Sequence, residues 1–137
     1  MTALAANLET NREDGEIIAY PVKASTVIYK GGLVVDDGGG YAQPGKDGSG
    51  LAFLGVALEG ADNSASAVDG AIFVRVYKTG TFQFTKASAL QTDVGTAMVI
   101  HDDQTVGATS TNSIGCGYVT EIPDATHVKI RIDTVVK

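Results

Sequence analysis

The chain has 137 residues, 44% of them hydrophobic and 19% charged; this fits one domain that buries roughly two thirds of its unfolded surface, and excludes a disordered chain. A formal net charge of −6, with ten scattered Lys and Arg, lacks the clustered positive charge that phosphate neutralisation needs, so no nucleic-acid partner is expected. No run nears the ~18 apolar residues of a membrane span, no charged-then-apolar secretory leader is visible, and one cysteine, Cys116, leaves no internal disulfide and suits synthesis in a reducing cytoplasm.

Met1 to Asp14 reads unlike the rest. Leu4 and Leu8 are its sizeable apolar side chains, too few to offset the entropy of ordering the segment. The expectation is a flexible N-terminal arm over residues 1–14 ahead of a β domain over residues 15–137. Leu4, Leu8 and Arg12 recur every four residues. They would share one helical face, or make alternate contacts if the arm ran extended along a partner.

From Glu16 onward short apolar runs alternate with glycine and aspartate. Glu16 to Val22 predicts a strand with Pro21 at an edge or bend. Val27-Ile28-Tyr29 breaks at Lys30-Gly31-Gly32 and resumes as Leu33-Val34-Val35. Asp36-Asp37-Gly38-Gly39-Gly40 predicts a turn, its aspartates capping backbone amides. After a loop over Pro44 to Gly50 comes a strand over Leu51 to Leu58, and Glu59 to Gly70, small and polar, predicts an exposed excursion.

Ala71 to Lys78 has the two-residue period of a sheet, Ile72, Val74 and Val76 facing one way and Arg75 the other. Thr79-Gly80 then predicts a hairpin to Thr81–Thr85, with Phe82 and Phe84 in the core. Thr85 to Asp93 is the one plausible helix, two turns at most. Ala97 to His101 predicts a strand closed by Asp102-Asp103, and Ile114 to Ile122 with Thr126 to Asp133 a last antiparallel pair around Pro123-Asp124. No repeat of fixed period is visible; the echo of Val34-Val35-Asp36-Asp37 in Val99-Ile100-His101-Asp102-Asp103 reads as shared turn chemistry. The fold class is all-β, a small barrel, β-tulip-like or sandwich domain with one short helix.

Catalytic and metal signatures fail on inspection. Gly40 to Asp47 nearly matches a phosphate loop, but Asp47 stands where a hydroxyl should hold magnesium, Pro44 removes an amide, and no helix follows. Asp36-Asp37 and Asp102-Asp103 lack calcium-loop spacing and suit turn capping. His101 and His127 are too isolated for zinc. Cys116, between Gly115 and Gly117, reads as a small buried hydrophobe. No catalytic residue, cofactor or metal is expected, and the chain reads as a non-enzyme.

The sequence resembles a known family through an ordered series of short pieces: Ala5-Ala6-Asn7 and Arg12; Val27-Ile28-Tyr29-Lys30-Gly31-Gly32-Leu33-Val34; Leu54-Gly55-Val56-Ala57 and Asp62-Asn63; Val74-Arg75-Val76; Gly80-Thr81-Phe82 and Phe84; Asp93-Val94-Gly95; Asp102-Asp103-Gln104-Thr105-Val106; Gly115 to Val119; and Val128-Lys129-Ile130-Arg131-Ile132-Asp133. In order and spacing these are similar to the capsid decoration, or cement, proteins of tailed bacteriophages. The resemblance implies a small β protein on the outer surface of an assembled head, synthesised in the host cytoplasm. It would bridge neighbouring subunits of the major capsid protein, as a homotrimer and without an active site. The arm, with Leu4, Asn7, Leu8, Asn11 and Arg12, would be its capsid-contacting part. The acidic charge agrees, since packaged DNA would repel the protein toward the outer face.

Two rivals follow from the residues. A virion binding module, lectin-like or fibre-anchoring, would use loops such as Glu59 to Gly70 to recognise glycan or another virion protein. A hydrolase built on His101 and Asp102 would need a concave site joining them to a third polar group.

Overall fold

The computed structural model describes residues 2–8 and 12–137. Its strands are β1 (Ile17–Pro21), β2 (Val27–Ile28), β3 (Leu33–Asp36), β4 (Ala42–Pro44), β5 (Ala52–Ala57), β6 (Ala61–Asp62), β7 (Phe73–Tyr77), β8 (Thr81–Thr85), β9 (Ala97–Ile100), β10 (Val106–Gly107), β11 (Gly115–Asp124) and β12 (His127–Arg131). They form two five-stranded sheets, ordered β1-β7-β5-β3-β4 and β10-β9-β11-β12-β8, and a ribbon of β2 with β6. The chain is all-β, and all pairing within the sheets is antiparallel. Neither sheet closes into a barrel: the edges of each meet at a single parallel bridge, Val22 to Ala42 in the first and Thr85 to Thr105 in the second.

The two sheets are one topology built twice. Replacing β1, β3, β4, β5 and β7 by β8, β9, β10, β11 and β12 turns the first strand order into the second. The match extends to single hydrogen bonds. The Gly31 amide donates to Ala57 O and the Ala57 amide to Gly32 O; Gly95 to Val119 and Val119 to Thr96 repeat the pattern. Gly32 to Tyr29 is matched by Thr96 to Asp93, Asp37 to Tyr41 by His101 to Thr105, and Lys78 to Glu16 by Ile132 to Gly80. Gly31 and Gly95 share a φ of +84° and +83°, and Lys23-Ala24-Ser25 and Lys86-Ala87-Ser88 each end on a serine of positive φ. An internal repeat is therefore present where none was expected. It was hidden because pairing register and turn geometry are kept while most side chains differ. The Val-Val-Asp-Asp echo lies on the corresponding strands β3 and β9, with its aspartates displaced within turns of equal length.

Each unit has its own interior. Val22, Ile28, Val34, Ala42, Leu54, Val74 and Val76 fill the first. Phe84, Met98, Cys116, Val119, Val128 and Ile130 fill the second, in one cluster with Leu33, Val35, Phe53 and Val56 of the first. That shared cluster joins the units, helped by the Leu33 amide donating to Asp103 O and the Lys137 amide to Phe53 O.

Three further expectations are corrected. Thr81–Thr85 is not the hairpin partner of β7: β8 pairs with β12, while β7 lies between β1 and β5. With two interiors available, Phe84 is buried in the second unit, and Gly80 (φ +118°), its amide held by Asp133 Oδ1 at 2.7 Å, carries the chain across. The predicted helix shrinks to a 3-10 turn, Gln91–Asp93, standing where the first unit has β2. The excursion over residues 59–70 is only partly exposed: it contains β6, and buried Asn63 donates to the carbonyls of Val22, Lys23 and Val68 at 3.1–3.2 Å.

Candidate docking surface

The leader enters β1 directly. Residues 2–8 and 12–16 are exposed, Leu4 and Leu8 at 75% and 66%. Among the described residues no hydrogen bond ties residues 2–8 or 12–15 to the body. Leu4, Asn7, Leu8 and Arg12 therefore all lie on the outside, and Asn11 falls outside the described residues.

Directly opposite residues of an antiparallel pair share a face. On β1 and β7 the outward face is Ile17 with Tyr77, Ala19 with Arg75, and Pro21 with Phe73; the inward face carries Val74 and Val76, both buried. Phe73 is 59% and Ile17 45% exposed. In the middle of the face, opposite Ala19, Arg75 is clamped by Glu59 (Nε to Oε1 3.1 Å, a terminal nitrogen to Oε2 2.9 Å), the pairing holding the Glu59 carboxyl below its usual range.

The repeat supplies an internal control. The corresponding outward face of β8 and β12 is Thr81 with Arg131, Gln83 with Lys129, and Thr85 with His127. Two faces of equal geometry thus differ in chemistry: the one beside the leader is mainly apolar and aromatic, the other polar throughout. Polar side chains are what the exposed face of an antiparallel sheet normally presents, and the first unit's face departs from that at Ile17 and Phe73 where the second unit's does not. Sequence reading missed this face because the alternation of β7 turns Phe73 outward but only the pairing of β7 with β1 brings Ile17, Ala19 and Pro21 beside it.

The residues weighed for chemistry are otherwise engaged. Asp36 Oδ1 accepts the Gly38 and Gly40 amides at 2.8 Å, and Asp37 Oδ1 the Gly39 amide at 2.7 Å. Asp102 Oδ1 accepts Gln104 and Thr105 at 2.9 and 2.7 Å, while His101 Nε2 lies 2.9 Å from Thr109 O. A depression of about 210 Å³ beside His101 does not include Asp102. Asp47 accepts the Thr111 and Asn112 amides, so the phosphate-loop look-alike is a loop clasp. His127 Nδ1 sits 2.8 Å from Asp124 Oδ1; the Thr126 amide and then His127 hold the Asp124 carboxyl below its usual range. Cys116 is fully buried and its thiol is pushed up to about 12 by desolvation. Among the described residues no three metal-ligating side chains cluster.

No protein-family model matches the chain, and no curated protein matches it. Among solved structures, the head fiber gp8.5 N base in bacteriophage phi29 is similar at 17% identity, with 85% of this chain and 93% of that chain covered and a TM-score of 0.46, a likeness too low to establish a shared fold.

Proposed function

We propose that the protein is a structural component of a phage virion that binds the outer surface of the assembled head and bridges neighbouring major capsid subunits. The observation that carries this reading is the contrast between the two equivalent faces. Ile17, Ala19, Pro21 and Phe73 form an apolar strip continuous with the arm, whereas Thr81, Gln83, Thr85 and His127 are polar. The sequence resemblance to decoration proteins names the partner. In this reading the strip is the rigid contact, and Leu4, Asn7, Leu8, Asn11 and Arg12 extend it by ordering along the partner as an added strand. Three arms on a trimer would multiply weak contacts through effective concentration. The acidic charge keeps the protein off packaged DNA.

The test is co-sedimentation with purified expanded heads, comparing the full chain with one lacking residues 1–14 and with Phe73→Glu. Each change should reduce the bound fraction at least tenfold. Undiminished binding by both variants would remove the arm and the strip from the mechanism and the reading with them.

A further inference from the structure

The polar face of the second unit is not merely wet; it forms one wall of a cleft. A cavity of about 570 Å³ opens between Gln83, Thr85 and His127 on that face, the segment Tyr29 to Gly32 of the first unit, and the hairpin tip at Asp103 and Gln104. This volume is in the range of small-ligand sites. Among the described residues, the side chains of Tyr29, Gln83, Thr85, Asp103 and Gln104 make no hydrogen bond within the chain. Amide, carboxylate and hydroxyl groups thus line the cleft without partners within the chain.

Tyr29 is the second observation. Its ring is 68% exposed at the cleft edge. The fold does not require an aromatic there: the corresponding turn of the second unit is built on Asp93, which accepts the Leu90 amide and pairs with Lys86 at 3.1 Å. A flat, exposed aromatic beside unused amide and hydroxyl groups suits a ligand with one apolar C–H face and a rim of hydroxyls. The cleft carries Lys30, Asp103 and His127, the last paired with Asp124 at 2.8 Å, so neither sign of charge dominates it.

From this geometry we infer that the cleft binds a neutral saccharide, its ring stacked on Tyr29 and its hydroxyls held by Gln83, Thr85, Asp103 and Gln104. This site is independent of the docking strip and differs from the loop at residues 59–70. One stacking platform and a few exposed hydrogen bonds give a dissociation constant of about a millimolar.

Saturation-transfer NMR on the full chain with glucose, galactose, mannose and N-acetylglucosamine tests it. At least one sugar should receive saturation on its ring protons. Tyr29→Ala should weaken that signal at least fivefold, Gln83→Ala should weaken it less, and Phe73→Glu should leave it unchanged; all three positions are exposed, so the variants should keep the parent's amide spectrum. Absence of transfer to all four sugars, or equal transfer in Tyr29→Ala, overturns the assignment without touching the capsid-docking reading.

Discussion

Gly55 and Gly117 occupy one and the same place in the two units. Their φ angles are +142° and +143°, and a Cβ on either would collide with a carbonyl oxygen of the neighbouring strand, Tyr77 O in the first unit and Arg131 O in the second. Each follows the extra residue of a bulge: Leu54 interrupts the register of β5 against β3, and Cys116 that of β11 against β9. The bulge bends its sheet toward the single bridge between its edges. Glycine is demanded here by both backbone angle and space.

Gly55→Ala and Gly117→Ala should therefore destabilise alike, by roughly 3 kcal/mol or more each, because strain and backbone collision add. Urea denaturation of both variants checks this. A loss under 1 kcal/mol in either, against the few kcal/mol expected of such strain, would overturn the strain argument at that site, and unequal losses would show that the two bulges are not equivalent.

Lys78 and Ile132 are likewise corresponding residues, yet one is a buried ammonium and the other a buried alkyl chain. Lys78 Nζ donates to Tyr20 OH, Leu54 O and Lys137 O, each at 2.6 Å, and burial lowers its pKa from 10.5 to about 8. Above pH 8 the folded chain has released a proton that the unfolded chain still holds, so stability should rise with pH from about 8 toward 10. Beyond that, Tyr20 counters the rise, its hydroxyl pKa being raised by burial and then by Asp36. Lys78→Ile should abolish the upward slope in denaturation midpoints across that window. An unchanged slope would assign it to another group.

How much of this could be read beforehand depends on which interactions are local. The period of Ile72, Val74 and Val76 and of Val128, Ile130 and Ile132 marked two strands correctly, and the glycine–aspartate turns behaved as their chemistry dictates. Pairing is not local. Thr79-Gly80 is short enough for a hairpin, and only the existence of two interiors sends β8 to β12. The repeat was illegible for a related reason: Tyr20 and Lys78 correspond to Phe84 and Ile132, so the same pairing is realised with unlike side chains. Of the candidate surface, Leu4, Leu8 and Arg12 were visible as an arm; the period that turned Ile72, Val74 and Val76 inward already put Phe73 on the face of Arg75, whereas Ile17, in an apolar run without clear alternation, betrays its face only once its partner strand is placed.

Cys116 should be chemically silent in the folded chain. Its thiol, buried and pushed up to about 12, donates to Met98 O, and the thiolate that alkylating reagents need is almost absent at neutral pH. Iodoacetamide should label it only in denaturant, at the rate of a free thiol. Rapid labelling of the native chain would mean that β11 opens locally.

Phe73 separates docking from folding. Its side chain is 59% exposed and Arg75, two residues on, is held by Glu59 rather than by Phe73, so Phe73→Glu removes little buried area and should change stability by no more than about 0.5 kcal/mol. On a capsid surface the same change would put a carboxylate into a contact built for an aromatic ring, where desolvating an unpaired charge costs several kcal/mol. The polar face of the second unit offers the control: Thr81, the counterpart of Ile17, is exposed, and Thr81→Glu introduces the same charge there. Measured side by side, Phe73→Glu should lose head binding at least tenfold while Thr81→Glu keeps it, with thermal midpoints of both close to the parent. Equal losses in the two would mean that net charge, not the apolar strip beside the arm, governs attachment.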